Sequence, residues 1–246
     1  MPARFSAFGR VFSPSWPMTL ATLALLGIFV SLGRWQWQRG EAKQDVWAEY
    51  RRDAAAMPLA GSALADLPRF TRVEITGRFM PARQFLLDNR PHAGRPGYEV
   101  LTPFALDDGR WLLVNRGWVP FTGYQDQLPD VSFAAQDRLT VTGKVEELPV
   151  AGLQSGRSPP RQTASWPRLT SFPTHDELES TLEREIEPRI VLLDPSLPHG
   201  YVRDWKPPGL DPSRHFSYAI QWWGFAVVLL VLYFALNFRP EDRLVT

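Results

Sequence analysis

Two stretches of this chain carry no charge, and they limit its fold more than any other feature. From Met18 to Gly33 the sequence reads MTLATLALLGIFVSLG, and from Phe216 to Phe238 it reads FSYAIQWWGFAVVLLVLYFALNF. A helix of about 20 apolar residues crosses the roughly 30 Å hydrocarbon core of a bilayer, so the second run spans outright. The first does so once Trp16, Pro17 and the flank at Trp35 are counted. Tryptophans mark the ends: Trp16 precedes the first run, Trp35 and Trp37 follow it, and Trp222 and Trp223 stand near the start of the second. Their rings are apolar while the indole N–H seeks water, which suits the headgroup level. A cleaved signal peptide is the alternative for the first run, with Arg4 and Arg10 as its basic start. The sequence GRWQWQRGEAK after it has no small-residue cleavage pattern, so an uncleaved anchor is expected. A buried core helix is the alternative for the second run, and the lack of any polar face argues against it.

Two spans put both ends of the chain on one side of the membrane. The sequence therefore predicts a tail at 1–16, a transmembrane helix at 17–35, an extracytoplasmic domain at 36–214, a second transmembrane helix at 215–238 and a tail at 239–246. Charge alone does not set the sense. Arg4 and Arg10 lie on one side of the first span, while Arg34, Arg39 and Lys43 lie on the other, and long translocated domains largely escape the positive-inside rule. Both tails are expected in the cytoplasm.

The middle reads as mostly β. Helix formers from Trp35 to Ala56 continue or restart the first helix, which stops before Pro58. Runs rich in β-branched and aromatic residues follow at Arg69–Phe79, Gln84–Asn89, Tyr98–Leu106, Trp111–Val119, Leu139–Glu146 and Arg189–Leu193. Asp107-Asp108-Gly109 signals a hairpin. Glu74-Ile75-Thr76-Gly77-Arg78-Phe79 resembles Thr140-Val141-Thr142-Gly143-Lys144-Val145, as two strands with a similar glycine bend would. Thr174-His175-Asp176-Glu177 reads as a capping box opening a short helix to Glu185. Leu148–Arg168 reads as a loop. The strands lie too close together for crossover helices between most of them. The fold class is thus a membrane protein of α+β type, with two transmembrane helices flanking a mostly antiparallel, small barrel-like β domain.

Most chemistry is excluded. The chain has 27 Lys+Arg against 26 Asp+Glu, so it lacks the basic excess that nucleic-acid phosphates call for. It has no cysteine, which removes thiol nucleophiles, disulfides, cysteine–zinc and iron–sulfur sites, and copper relays built on paired thiolates. None of the four histidines, His92, His175, His199 and His215, has the i, i+4 spacing of a helical metal pair. No nucleophile elbow, P-loop or dinucleotide fingerprint is present. The reading is a non-enzyme with no catalytic residues and no resident metal site; an envelope enzyme with its catalytic groups in the Arg90–Tyr98 loop, where only His92 could serve as the base, is an alternative.

Two local features remain. Arg90, Gly97 and Tyr98 stand in and after the loop NRPHAGRPGY, and Arg116, Gly117 and Trp118 end the next strand. They form either an anion- or carboxylate-binding patch or a turn held by arginine–backbone bonds. The second feature is RHFSYAIQWW, Arg214 to Trp223. At helical spacing His215, Tyr218 or Ala219, Trp222 and Ala226 share one face. An imidazole at the membrane edge beside an aromatic floor suits a haem, and a polar residue at the water interface is the plainer alternative. A stripe of small residues in the first span, Ala21, Ala24, Gly27 and Ser31, is expected to pack against the second span, with docking onto another membrane protein as the alternative.

In this order the pieces resemble the Surfeit locus protein 1 family, the cytochrome c oxidase assembly factors known in yeast as Shy. The residues that carry the resemblance are Leu32-Gly33-Arg34-Trp35-Gln36 with Arg39 and Lys43; Arg72-Val73 and Gly77-Arg78-Phe79; Gly97 to Pro103; Val114-Asn115-Arg116-Gly117-Trp118-Val119-Pro120; and His215 to Trp222. The resemblance implies a bacterial inner-membrane protein whose central domain is periplasmic. It implies help in building haem–copper oxidases when haem A enters the catalytic subunit, with haem A as a transient cofactor. His215 is the implicated haem residue, with Trp222 and Tyr218 beside it. Trp35, Arg90, Gly97, Tyr98, Arg116, Gly117 and Trp118 are carried as interaction or structural motifs. The implied partners are the catalytic oxidase subunit, haem A synthase and membrane lipid, with no nucleic acid. A scaffold that stabilises a partly built oxidase without holding haem is the alternative.

Overall fold

A computed structural model describes residues 5–7, 10–55, 59–60, 64–124, 127–134, 138–151, 156–163, 165–207 and 209–240. Arg4, Pro58 and residues 241–246 of the sequence reading lie outside them. The elements are β1 (Phe5–Ala7), β2 (Arg10–Phe12), α1 (Trp16–Ala55), β3 (Leu59–Ala60), β4 (Arg72–Phe79), β5 (Phe85–Leu87), β6 (Gly97–Leu106), β7 (Trp111–Pro120), β8 (Leu139–Glu146), β9 (Arg168–Thr170), α2 (His175–Leu182), β10 (Ile190–Leu193), α3 (Pro212–Asn237) and β11 (Phe238–Pro240). They fall into two compact units. One is residues 49–206, and the other joins the two ends, 1–48 and 207–246.

In the unit of 49–206, β4 pairs with β8, β8 with β10, β10 with β7, β7 with β6, and β6 returns to β4. This closes a five-stranded barrel, and closure removes the exposed edges that an open sheet would present. All these pairings are antiparallel except β7 with β10. All six strand runs expected from the sequence are present. Alternate residues of β4 are buried, so Val73, Ile75 and Phe79 point inward. They meet Phe104, Leu112, Val114, Val141, Val145 and Val191 in the core.

The two similar strings are neighbours: β4 and β8 pair with Val73 opposite Gly143 and Gly77 opposite Leu139. At each glycine a neighbouring backbone crosses where a Cβ would stand, the Ala105 carbonyl at Gly77 and the Leu192 carbonyl at Gly143. The shared glycine therefore answers a shared packing demand. Asp107-Asp108-Gly109 turns the β6–β7 hairpin, with Gly109 at φ 91°. At α2 the capping box forms as expected, with the Thr174 side chain accepting from Glu177 and the Glu177 carboxylate accepting from the Thr174 amide. Leu178 and Leu182 of α2 pack with Ile186 against Phe85, Leu87, Leu101 and Leu113. The loop expected over Leu148–Arg168 leads into β9, which begins at its last residue and lies parallel to β5.

In the other unit, α1 and α3 are long and apolar enough to cross a membrane, over Trp16–Arg51 and Pro212–Asn237. Only 11% of each apolar window is buried inside the molecule, so neither is a soluble core helix. The helices run antiparallel. Thr19 Oγ1 lies 2.8 Å from the Tyr233 hydroxyl, Phe29 packs 5.8 Å from Trp222, and Trp37 packs 4.8 Å from Phe216.

The expected packing stripe is corrected here. Ala21, Ala24, Gly27 and Ser31 are exposed, and nothing lies within 4 Å of where a Gly27 side chain would start. The face turned to α3 carries Thr22, Phe29, Gly33, Gln36 and Gly40. Trp223 fills the space where a Gly33 Cβ would stand, and Phe216 comes within 2.7 Å of that position at Gly40. Large rings seated on bare glycines bring the backbones close, and the alanine stripe offers no such contrast. Residues expected only as tails carry a three-stranded sheet, β1–β2–β11. Phe12 there packs on Tyr233, Phe234 and Phe238.

Candidate functional site

Asp211 caps α3 by accepting from the Ser213 amide at 2.8 Å, and Pro212 follows at the first helical position. That start places His215 in the first turn. His215 is half-buried, and its Nδ1 lies 2.9 Å from Gln36 Oε1 on α1. An amide oxygen only accepts, so Nδ1 is the donor in this contact, in the neutral ring and in the imidazolium alike. In the neutral ring with its proton on Nδ1, Nε2 has a free lone pair. A neutral imidazole with one nitrogen held by a hydrogen bond and the other open is the form that ligates metals.

Around this pair the two helices present aromatic rings. Trp37 lies 5.7 Å from Trp223, and Trp222 packs 5.8 Å from Phe225. Ala219 and Ala226 are buried, as expected for the face shared with His215 and Trp222. Tyr218 is not on that face: it is 53% exposed. Trp35 is exposed as well, as an interfacial residue would be.

The remaining motif residues fall in the unit of 49–206: Arg90, Gly97 and Tyr98 line one cleft with Trp118 against Arg90 and Gly97, while the Arg116 guanidinium is held separately. Arg116 is buried without a carboxylate. Its Nε donates to the His199 carbonyl at 2.6 Å, its Nη1 donates to Gln84 Oε1 at 3.0 Å, and its guanidinium lies 3.8 Å from the Phe133 ring centre. Burial lowers its pKa, with Tyr201 pulling the other way. Gly117 sits at φ 110° against the Val202 carbonyl. Trp118 donates from Nε1 to the Arg90 carbonyl at 2.6 Å and lies against Gly97. The Arg90 guanidinium stacks 4.8 Å over Phe172, and its Nε and Nη2 are sealed from solvent without a partner. Burial lowers the Arg90 pKa as well, partly offset by Glu99. Arg116, Gly117 and Trp118 thus lock a strand end by bonds to backbone.

Among the described residues His175, Asp176 and Glu179 form one group compatible with a metal ion. The His175 Nε2 already meets the Ile186 carbonyl, and Glu179 Oε1 accepts from the Ile186 amide, so the group closes the end of α2. Two residues with central roles carried no role in the sequence reading. Gln36 was legible through its spacing of three and four from Gly33 and Gly40, on one helix face. Gln84 is a buried hub, donating to the Pro81 and Val131 carbonyls and accepting from Thr102 and Arg116. Nothing in its local pattern singles it out.

A model of the SURF1 family matches residues 23–227. The chain belongs to the SURF1 family. The matched stretch holds the barrel and both members of the Gln36–His215 pair. A SURF1-like protein of Rickettsia felis is 26% identical over 233 residues, covering 87% of this chain and 94% of that protein. One from Monosiga brevicollis is 27% identical over 255 residues, covering 91% and 88%. An uncharacterized SURF1-like protein of Mycobacterium tuberculosis is 26% identical over 227 residues, covering 87% and 80%. Membership in the SURF1 family implies a general role in oxidase assembly, in a family of non-catalytic assembly factors.

Proposed function

We propose that this SURF1 protein holds haem A transiently through His215 and passes it to the catalytic subunit of a haem–copper oxidase. The observation that carries this reading is the 2.9 Å contact between His215 Nδ1 and Gln36 Oε1. It suits the neutral ring protonated on Nδ1, whose Nε2 would be free to ligate iron, and it holds the ring at one setting. The donor set therefore fits the group. Haem, when bound, would supply an iron centre for that nitrogen to ligate. Gln36 orients the imidazole. Trp222 packs on Phe29 and Phe225, about two helical turns along α3 from His215, and Tyr218 is exposed.

The membrane in this proposal is a bacterial inner membrane, with residues 49–206 on the periplasmic side. Haem A synthase is the proposed donor of the cargo, and the oxidase subunit its acceptor.

The test is the haem-to-protein ratio, read as pyridine haemochrome, of protein purified from cells making haem A. The wild type should carry haem, and His215→Ala should lose it at equal protein yield. Gln36→Leu, which keeps the side chain's bulk but not its acceptor, should carry less. Equal ratios in wild type and His215→Ala would remove His215 as a ligand. No haem on the wild type would favour a scaffold that stabilises an oxidase intermediate without cargo.

A further inference from the structure

A cleft of about 370 Å³ opens in the unit of 49–206, at the start of β6. Its walls include Pro91, Pro96, Phe121 and Leu169, and its polar residues include Asp88, Tyr98 and Arg161. Tyr98 is only 2% exposed. Its hydroxyl is not among the sealed polar atoms and has no hydrogen-bond partner among the described residues, so it meets the cleft unsatisfied. A buried phenol is normally given a partner by its own fold. Arg161 stands with its side chain free of hydrogen bonds and ion pairs among the described residues, and only its backbone amide is engaged, with the Leu169 carbonyl. Asp88 has one carboxylate oxygen occupied by the Asn89 amide at 2.7 Å. The phenol feels both charges: burial raises its pKa, Asp88 raises it further, and Arg161 lowers it.

We infer that this cleft binds a monocarboxylate carried on an apolar body. The guanidinium of Arg161 pairs with the carboxylate, and the Tyr98 hydroxyl donates to it. Leu169, Phe121 and the two prolines take the apolar body. The Asp88 charge limits the ligand to a single anionic group, because a second would face it. The cation is not one of the arginines in the NRPHAGRPGY loop. Arg90 lines the cleft, but its guanidinium stacks on Phe172. The proposal stands apart from the haem reading, since His215 plays no part in it.

The probe is 3-phenylpropionate, titrated calorimetrically into the full-length protein in detergent, with its methyl ester and inorganic phosphate as controls. The acid should bind saturably and the ester should not. Arg161→Gln should weaken binding at least tenfold. Tyr98→Phe should weaken it about fivefold, the effect of one lost hydrogen bond. The thermal midpoint of Tyr98→Phe should stay at the wild-type value, because the hydroxyl has no partner within the fold. Four results would each overturn the proposal: no saturable heat with the acid, equal binding of the ester, tighter binding of phosphate, or wild-type binding by both variants. A lowered midpoint for Tyr98→Phe would do so too, by giving the hydroxyl a structural partner.

Discussion

Substituting Gly117 tests how the barrel is fastened at the end of β7. The residue has φ 110°, where an L side chain is strained by about 1–3 kcal/mol. A Cβ there would stand 2.6 Å from the Val202 carbonyl oxygen and 2.8 Å from Arg203 Cγ. The Tyr201–Val202 segment cannot yield freely. The Val202 carbonyl accepts from the Trp118 amide at 2.8 Å, the Val202 amide donates to the Trp118 carbonyl at 3.2 Å, and the Tyr201 amide donates to the Arg116 carbonyl at 2.7 Å. Losing two or three of these adds about 1 kcal/mol each. Gly117→Ala should therefore destabilise by about 3–6 kcal/mol, a large part of a typical domain's total stability. For a unit of this size that lowers the unfolding midpoint by about 6–24 °C. Gly117→Glu adds a longer side chain at the same crowded point and should cut the yield of folded protein. The assay is thermal unfolding of purified protein followed by near-ultraviolet circular dichroism. A Gly117→Ala midpoint within about 2 °C of wild type would refute the reasoning, because the strand end would then tolerate a Cβ. A folded, normally docking Gly117→Glu protein that failed in oxidase assembly would move the motif from structure to chemistry.

Two further outcomes are expected. Burial alone would raise the Asp194 pKa, but hydrogen bonds from Ser196 and the charges of Arg72 and Arg203 outweigh it and hold the carboxyl below the usual range. Its stabilisation is then complete above the unfolded value of about 3.9 and is lost as pH falls through the lower folded value. The urea midpoint of wild type should exceed that of Asp194→Asn at pH 7, and the gap should close in acid. A gap independent of pH would exclude the charge as its cause. Reporter fusions after Arg10 and Thr246 should read as cytoplasmic and one near Asp130 as extracytoplasmic, and the opposite pattern would reverse the orientation.

The sequence showed most of the barrel because its signals are local. Alternation in Arg72–Phe79, the Asp-Asp-Gly turn and the Thr174 capping box each need only their own residues, and each has its expected form. What it did not show depends on partners far along the chain. β9 is three residues long, and its strand character comes from pairing with β5, more than 80 residues earlier. For Arg116 the sequence offered a turn held by arginine–backbone bonds or a surface anion binder, since Arg is seldom buried. Its burial depends on Gln84, Phe133 and His199, which no motif links to it. The small-residue stripe misled for a related reason. Spacing identifies a face that can pack closely, but the rings of the other helix decide which face does. Gly33 and Gly40 receive Trp223 and Phe216, and Gly27 receives nothing.

The same glycines bear on the chemistry proposed for His215. Gln36 lies three residues after Gly33 and four before Gly40, so it shares their helix face. Seating Trp223 and Phe216 on those glycines fixes both the rotation of α1 about its axis and its register along α3. A slip of one residue on either helix would turn a side chain by about 100° and move it by about 1.5 Å, enough to part the Gln36 amide from the imidazole. The contact between Gln36 and His215, 179 positions apart, is thus an outcome of apolar packing between the helices. The hydrogen bond adds only about 1 kcal/mol by itself. The helix contacts are what place its two ends within reach.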